Sequence, residues 1–446
     1  MSDQKGSSNP KRKDGGGASK AGGLALAALI AAAPLAAQPT FLSDEIRVDA
    51  DARSRQRDPI AVSLRDGGSL VVWQEDRHGV FGRLLDGDGE PLGADLALAP
   101  SEVATAPFEG VLRLRKQPAA AELGGGGVAL AFTQELQLTS SVAFFERRQR
   151  TASGVYLSVV RPSAGGALGP DSVSEPVRLD RGRQQGISRA PELAELADGR
   201  LLAAWTFELP DGTGGIRARL VSAGGQPIGR EVEIDAASDA RPGGLTLTAH
   251  PNGTALVAWH ACCDGGGDDG VFGSVLALDG LAPGPVVRIN DLEANDQAHA
   301  AAAVLENGEF LVAWQSSTGV PEPIYEGWRV RAQRLAADGT LVGSAAQLSD
   351  GIGWGHTNPG LSVGADGGVT LVWLAWVGDV PGAVLARALD AEGAVAGEPF
   401  FVSTARTLGA PSITAVGEEG SLVTWISLVD RRRGVSARLL GAASGE

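Results

Sequence analysis

The chain of 446 residues has five histidines, and four of them, His78, His260, His299 and His356, fall between periodic apolar segments, where loops are expected. Asp76, Trp328 and Trp354 stand in the same kind of segment. Imidazoles and carboxylates move protons near neutrality, and indole rings offer amphipathic surface to a ligand. If the fold brought them together, Asp76, His78, His260, Asp264, Trp328, Trp354 and His356 would form a ligand-binding site. The competing reading is that they are scattered surface residues of types usually exposed.

A second concentration of chemistry is the loop Cys262-Cys263-Asp264-Gly265-Gly266-Gly267-Asp268-Asp269. Asp264, Asp268 and Asp269 on a glycine-rich turn are the oxygen ligands that calcium prefers, yet a twelve-residue calcium loop needs a closing Glu where Val275 stands. A solvated acidic turn is the simpler reading. The adjacent cysteines are read as plain thiols, with redox chemistry as the alternative. No G-x-S-x-G elbow, H-E-x-x-H helix or phosphate-binding loop is present. No catalytic residue is assigned and the cofactor stays open, calcium being the one metal considered.

The elements that must position these residues come from a repeat. An Asp-Gly or Asn-Gly turn, a short aliphatic strand and an aromatic recur as Gly67 before Trp73, Gly126 before Phe132, Gly199 before Trp205, Gly253 before Trp259, Gly308 before Trp314 and Gly367 before Trp373, with a Glu419 variant before Trp425. Pro lies fourteen residues ahead of the aromatic in five copies: Pro59, Pro118, Pro191, Pro359 and Pro411. Each copy divides into four short strands, here a to d, with the aromatic on b. Seven copies of four strands, apolar on both faces, predict an all-β seven-bladed β-propeller. The blades are placed near 58–102, 103–182, 183–239, 240–294, 295–351, 352–405 and 406–446, the last lacking strand d. The segment 43–50, with Ile46-Arg47-Val48-Asp49, has the look of that missing strand, so the amino-terminal strand is expected to complete the last blade and close the ring. A column on strand c, Arg83, Ser158, Arg219, Ser274, Gln333, Arg387 and Arg438, recurs too often for a unique site and predicts hydrogen bonds between blades.

These motifs resemble secreted bacterial repeat proteins of the "DG-x-x-VVAW … GIFGQRFD-x-x-G-x-PLG" type, best in 306–343 and worst in 118–178. The resemblance implies an exported propeller-like repeat and no particular activity.

Composition sets the remaining limits. With 38 Lys+Arg against 53 Asp+Glu the net charge is −15, which excludes a nucleic-acid binder. Residues 1–37, basic and then apolar, read as a signal peptide, leaving 38–446 as a single domain, monomeric, secreted, periplasmic or at the cell surface, and not integral to a membrane. The loops between b and c vary in length while the turns between a and b do not, so binding is expected on the variable face. There the insertion 134–153, with Val142-Ala143-Phe144-Phe145 and Arg147, Arg148 and Arg150, reads as a docking loop. The leading expectation is a non-catalytic module binding protein or carbohydrate; the alternative is a propeller hydrolase or lyase acting on glycans or lactones.

Overall fold

The computed structural model describes residues 39–50, 55–105, 109–142, 145–162, 167–181, 186–235, 242–262, 269–291, 295–319, 327–350, 354–377, 380–417, 420–429 and 432–441. The segment 1–37 read as a signal peptide lies outside the described residues. The described remainder is an all-β fold of antiparallel sheets, with one turn of 3-10 helix at Pro170–Ser172. No described helix is long and apolar enough to cross a membrane.

Strands a are Gln56–Ser63, Glu109–Glu122, Ile187–Glu195, Gly243–His250, Gln297–Val304, Trp354–Val363 and Ser412–Val416. Strands b, which carry the aromatics, are Ser69–Glu75, Val128–Val142, Leu201–Glu208, Thr254–Cys262, Phe310–Ser317, Val369–Val377 and Gly420–Val429. Each b pairs with its own a on one side and its own c on the other, and d lies beyond c. The glycine of each a-to-b turn sits at positive φ, for example 91° at Gly67 and 80° at Gly367, a conformation open to Gly without steric cost.

Sheet and repeat do not coincide everywhere. The described strands form six sheets, because the second and third repeats share one of nine strands through a single parallel bridge, Ile187 to Ser153. The insertion after Phe132 is also not a loop. Its backbone extends b and c as a hairpin, paired from Gln134 and Gly154 out to Val142 and Phe145, while Ala143 and Phe144 lie outside the described residues.

What joins the repeats is the apolar surface between them. Each described core cluster takes residues from two consecutive repeats: Leu130 and Phe132 with Leu70 and Val72, Trp205 with Ala131 and Leu157, Trp259 with Ala204 and Ala218. Another joins the ends of the chain, setting Trp73 and Val71 of the first repeat against Ile426 and Ala437 of the seventh and Val48 near the amino terminus. Phe132 and the six repeated tryptophans are fully buried.

Hydrogen bonds staple the same seams. Arg219 Nη1 donates to Leu179 O of the preceding repeat at 2.8 Å, Arg387 Nη1 to Leu348 O at 2.8 Å and Arg438 Nη1 to Val402 O at 2.7 Å. Arg83 Nη1 of the first repeat makes this bond to Val48 O at 2.8 Å. A second column, one residue on from these carbonyls, caps the start of strand c. The amides of Val155, Val271, Val330 and Val384 donate to the side chains of Asp180, Asn290, Ser349 and Ser403, and that of Val435 donates to Asp49 Oδ1 at 2.7 Å. Ile46–Arg47 therefore forms the outer strand of the last sheet, opposite Ala437 and Ser436, with the side-chain roles that strand d has elsewhere.

Trp205→Ala or Trp314→Ala should cost about 3 to 5 kcal/mol in chemical denaturation, as a large-to-small change in a core does. Asp49→Ala should cost about 1 to 3 kcal/mol because it strands the buried Val435 amide. A loss below about 0.5 kcal/mol for Asp49→Ala would mean that the amino-terminal strand does not hold the last sheet.

Candidate functional site

The repeated proline marks a feature that the pattern alone does not explain. In six copies of strand a the register with b slips by one residue, giving a bulge of two residues. Its first residue is Asp58, Gln117, Ala190, Gly244, His299 or Asn358, all with φ between 49° and 53°. In four copies the second residue is the proline, tolerated because a bulge on an edge strand needs no N–H for the ladder. Non-glycine residues are rarely left-handed, and one at the same place in repeat after repeat is a strain that the framework enforces. The residue types there, Asp, Gln, Ala, Gly, His and Asn, differ in each copy. This column repeats its backbone and varies its chemistry.

At four seams the residue after the aromatic on strand b holds the bulge of the next repeat. Gln74 Oε1 accepts the Gln117 amide at 3.0 Å, Thr133 Oγ1 the Ala190 amide at 3.0 Å, His260 Nδ1 the His299 amide at 3.3 Å and Gln315 Oε1 the Asn358 amide at 3.0 Å. His260 is thereby tied to the framework, and its ring lies 5.4 Å from that of His299. A Cβ on Gly243 or Gly244 would stand 2.8 or 2.6 Å from the His260 ring, so these glycines make room for it. Burial lowers the pKa of His260. His299 has one side open to water and protein around the rest; burial, and secondarily the charge of His260, bring it down to about 4.

Two positions beyond the bulge residue, strand a carries Ile60, Ala119, Glu192, Thr246, Ala301 and Gly360. A Cβ on Gly360 would meet Val372 at 3.1 Å and Ile413 of the next repeat at 3.2 Å, so this column faces the apolar seam. Glu192 places a carboxyl there. It has no hydrogen bond or ion pair among the described residues, and burial raises its pKa to about 8. It remains partly exposed to solvent. A carboxylic acid that keeps its proton at neutral pH can donate that proton, and no structural role accounts for it here. Asp58 is also raised by burial, opposed by the charge of Arg57.

The residues singled out from the sequence are dispersed over these elements. Asp76, in the turn after strand b of the first repeat, pairs with Arg57 of strand a at 3.0 Å, and His78 is exposed in the same turn. Trp328 begins strand c of the fifth repeat and Trp354 begins strand a of the sixth, opposite Val377. His356 is not in a loop. It lies on strand a, 2% exposed, 5.5 Å from the Trp373 ring, with its Nδ1 lacking a hydrogen-bond partner. It takes the place that Gln297 has in the fifth repeat, where Gln297 Oε1 accepts the Trp314 indole N–H at 2.8 Å. Burial first, then the nearby Arg329, lowers its pKa to about 4. As an interior residue it is not presented to a ligand. His260 and His299 are the histidines brought together; the sequence names His299 only as one of four loop histidines and gives no sign of Asp58 or Glu192, because their meaning depends on the bulge register.

Asp264, Asp268 and Cys263 lie outside the described residues. Asp269 opens strand c of the fourth repeat, where its amide donates to Asp296 Oδ1 at 3.2 Å. Among the described residues no group of three or more His, Cys, Asp or Glu could hold a metal ion. Cys262 is disulfide-bonded, contrary to the reading of two plain thiols.

The buried histidines set an acid limit. An unfolded histidine takes up its proton near pH 6.5 and folded His356 only near 4, so between these values the unfolded chain binds more protons and stability falls as pH falls. Denaturation midpoints should drop from pH 6.5 to 4, and His356→Gln should remove up to about 3 kcal/mol of that loss. An unchanged pH dependence in the variant would contradict a neutral, buried His356.

No family model matches this chain, and no curated protein is similar to it. Among solved structures, a protein of unknown function from Dyadobacter fermentans is 12% identical with a TM-score of 0.51, over 91% of this chain and 99% of that one. The polysaccharide lyase Uly1 is 9% identical with a TM-score of 0.52, over 91% of this chain and all of its own. An α-L-arabinanase from Penicillium chrysogenum, solved with arabinobiose, gives 11% and 0.44 over 91% and 98%. The first two share the fold. The expectation of a non-catalytic binding module is corrected here: of the two structures that share the fold, the one whose activity is stated is a polysaccharide lyase.

Proposed function

We propose that the chain is a seven-bladed, ring-closed β-propeller enzyme, exported from the cell, that cleaves a glycan as a hydrolase or lyase. The reading of a closed ring is supported by strands a, each of which packs against those of the repeats before and after, the first against both the second and the seventh. The core cluster and hydrogen bonds joining the seventh repeat to the first support it as well. In such a ring the strands a surround the axis, and their bulges, near the strand starts, lie toward the face of variable loops. The reading of glycan cleavage is supported by the fold shared with a polysaccharide lyase and by the makeup of the bulge column.

The observation that carries the reading is Glu192, a partly accessible carboxyl without a partner, held protonated near neutrality by its apolar surroundings. Cleavage of a glycosidic link needs a proton delivered to the departing sugar oxygen as its bond to carbon breaks. Glu192 would supply it and become a carboxylate, to be reprotonated from water, while the sugar left behind is completed by addition of water at the glycosidic carbon in a hydrolase or by loss of a proton from the neighbouring carbon to solvent, forming a double bond, in a lyase. His299, neutral at pH 7, and Asn358 and Gln117 would offer hydrogen-bonding groups to sugar hydroxyls from three sides of the axis.

The test is incubation with arabinan, xylan, alginate and homogalacturonan, following new reducing ends and the ultraviolet absorbance of unsaturated ends that only a lyase creates. Glu192→Gln should lower kcat by a factor of about 10² to 10⁴. The wild-type rate should fall on the alkaline side with a midpoint near 8. Full activity in Glu192→Gln would remove Glu192 from the reaction, and inertness toward every polysaccharide would overturn the reading.

A further inference from the structure

A concavity of about 270 Å³ opens on the third repeat, at the same end of the strands as the bulges, reaching from Ser188 on strand a across Phe207 and Glu208 on b and Arg217 on c to Glu231 beyond it. Most of its charges are already matched. Arg217 stacks on the Phe207 ring at 3.8 Å and donates to Glu233 Oε2 at 3.1 Å. Glu208 accepts from Arg189 at 3.1 Å, and Asp180 accepts from Arg178 and from the Val155 amide. Glu231 differs from these. Glu231 lines the concavity, and its Oε2 is buried with no hydrogen-bond partner among the described residues. A buried acceptor left unmade is costly, so it calls for a donor from outside the chain.

We infer that this concavity is a sugar-binding subsite, in which a hydroxyl of one sugar residue donates to Glu231 Oε2. The inference rests on the glycan reading above. Its strand-a wall ends at Ser188, four residues before Glu192, and the bulge between them shortens the span to that of Ala204 to Phe207 on the paired strand, about 10 Å. That is the length of about two sugar units, so a chain cleaved at Glu192 would reach the concavity with a residue distant from the broken bond. A volume of this size admits one sugar ring with part of a second. Arg181 also lines the concavity without a carboxylate partner among the described residues, so the charges here do not select a neutral sugar over a uronate.

The test uses the full chain carrying Glu192→Gln, so that fragments are bound and not cleaved, and titrates two-sugar and six-sugar fragments of arabinan and xylan by calorimetry. Adding Glu231→Leu should weaken the six-sugar fragment about tenfold and the two-sugar fragment less than twofold. Glu231→Gln, which keeps one acceptor oxygen, should lie between them, and an unchanged thermal midpoint checks that each variant is folded. Equal affinities for the six-sugar fragment in all three proteins would overturn the subsite while leaving cleavage at Glu192 intact. Absence of both cleavage by the wild type and binding by Glu192→Gln would instead overturn the glycan reading and the subsite with it.

Discussion

No sheet of this protein can be stable alone, because its strands are apolar on both faces and its aromatic projects into the neighbouring repeat. Trp73, Phe132, Trp205, Trp259, Trp314, Trp373 and Trp425 are fully buried, and each described core cluster is shared between two repeats. Everything else in the structure serves or exploits these seams. The arginine staples tie a seam from the strand-c side, and the bonds from the residue after the aromatic tie it from the strand-a side. The same seam is built again and again, with the buried aromatic as its most regular part.

Two columns of strand a vary most in chemistry. The bulge on strand a fixes a backbone conformation and leaves the side chain free, so Asp58, Gln117, His299 and Asn358 occupy equivalent places with unlike chemistry. Glu192 is the sharper departure, since it sets a carboxyl in a column otherwise filled by Ile, Ala, Thr or no side chain. Natural folds break their own local rules chiefly where function requires it. This departure, more than the likeness to a polysaccharide lyase, directs attention to acid catalysis.

Much of the architecture was legible in the sequence because it repeats. The Gly-to-aromatic spacing locates the a-to-b turn and strand b, and Ile46-Arg47-Val48-Asp49 could be matched to a strand d before any pairing was known. The recurrence of Arg83, Arg219, Arg387 and Arg438 marked a structural column that the staples explain. The site was much less legible. His356 sits in Trp-Gly-His-Thr, which has no aliphatic pattern to announce a strand, so it was taken for a loop residue although it is interior. The extension of repeat two to Val142 and Phe145 was read as a loop because its sequence lacks turn residues that would bound a hairpin. Glu192 was hidden for a different reason: beside Glu195 and Asp198 it resembles any acidic residue, and only alignment on the bulge shows the company it keeps. The repeated proline held that alignment, as a marker whose structural meaning the spacing could not supply.

The central claim is that Glu192 carries its proton at neutral pH. Carbon-13 labelling of glutamate carboxyls, with Glu192→Gln to assign the resonance, follows that proton directly. The account predicts a titration midpoint about 8 in the folded protein, well above the ordinary carboxylate range. A midpoint near 4.5 would show an ionised carboxylate at pH 7 and contradict the assignment of Glu192 as the acid.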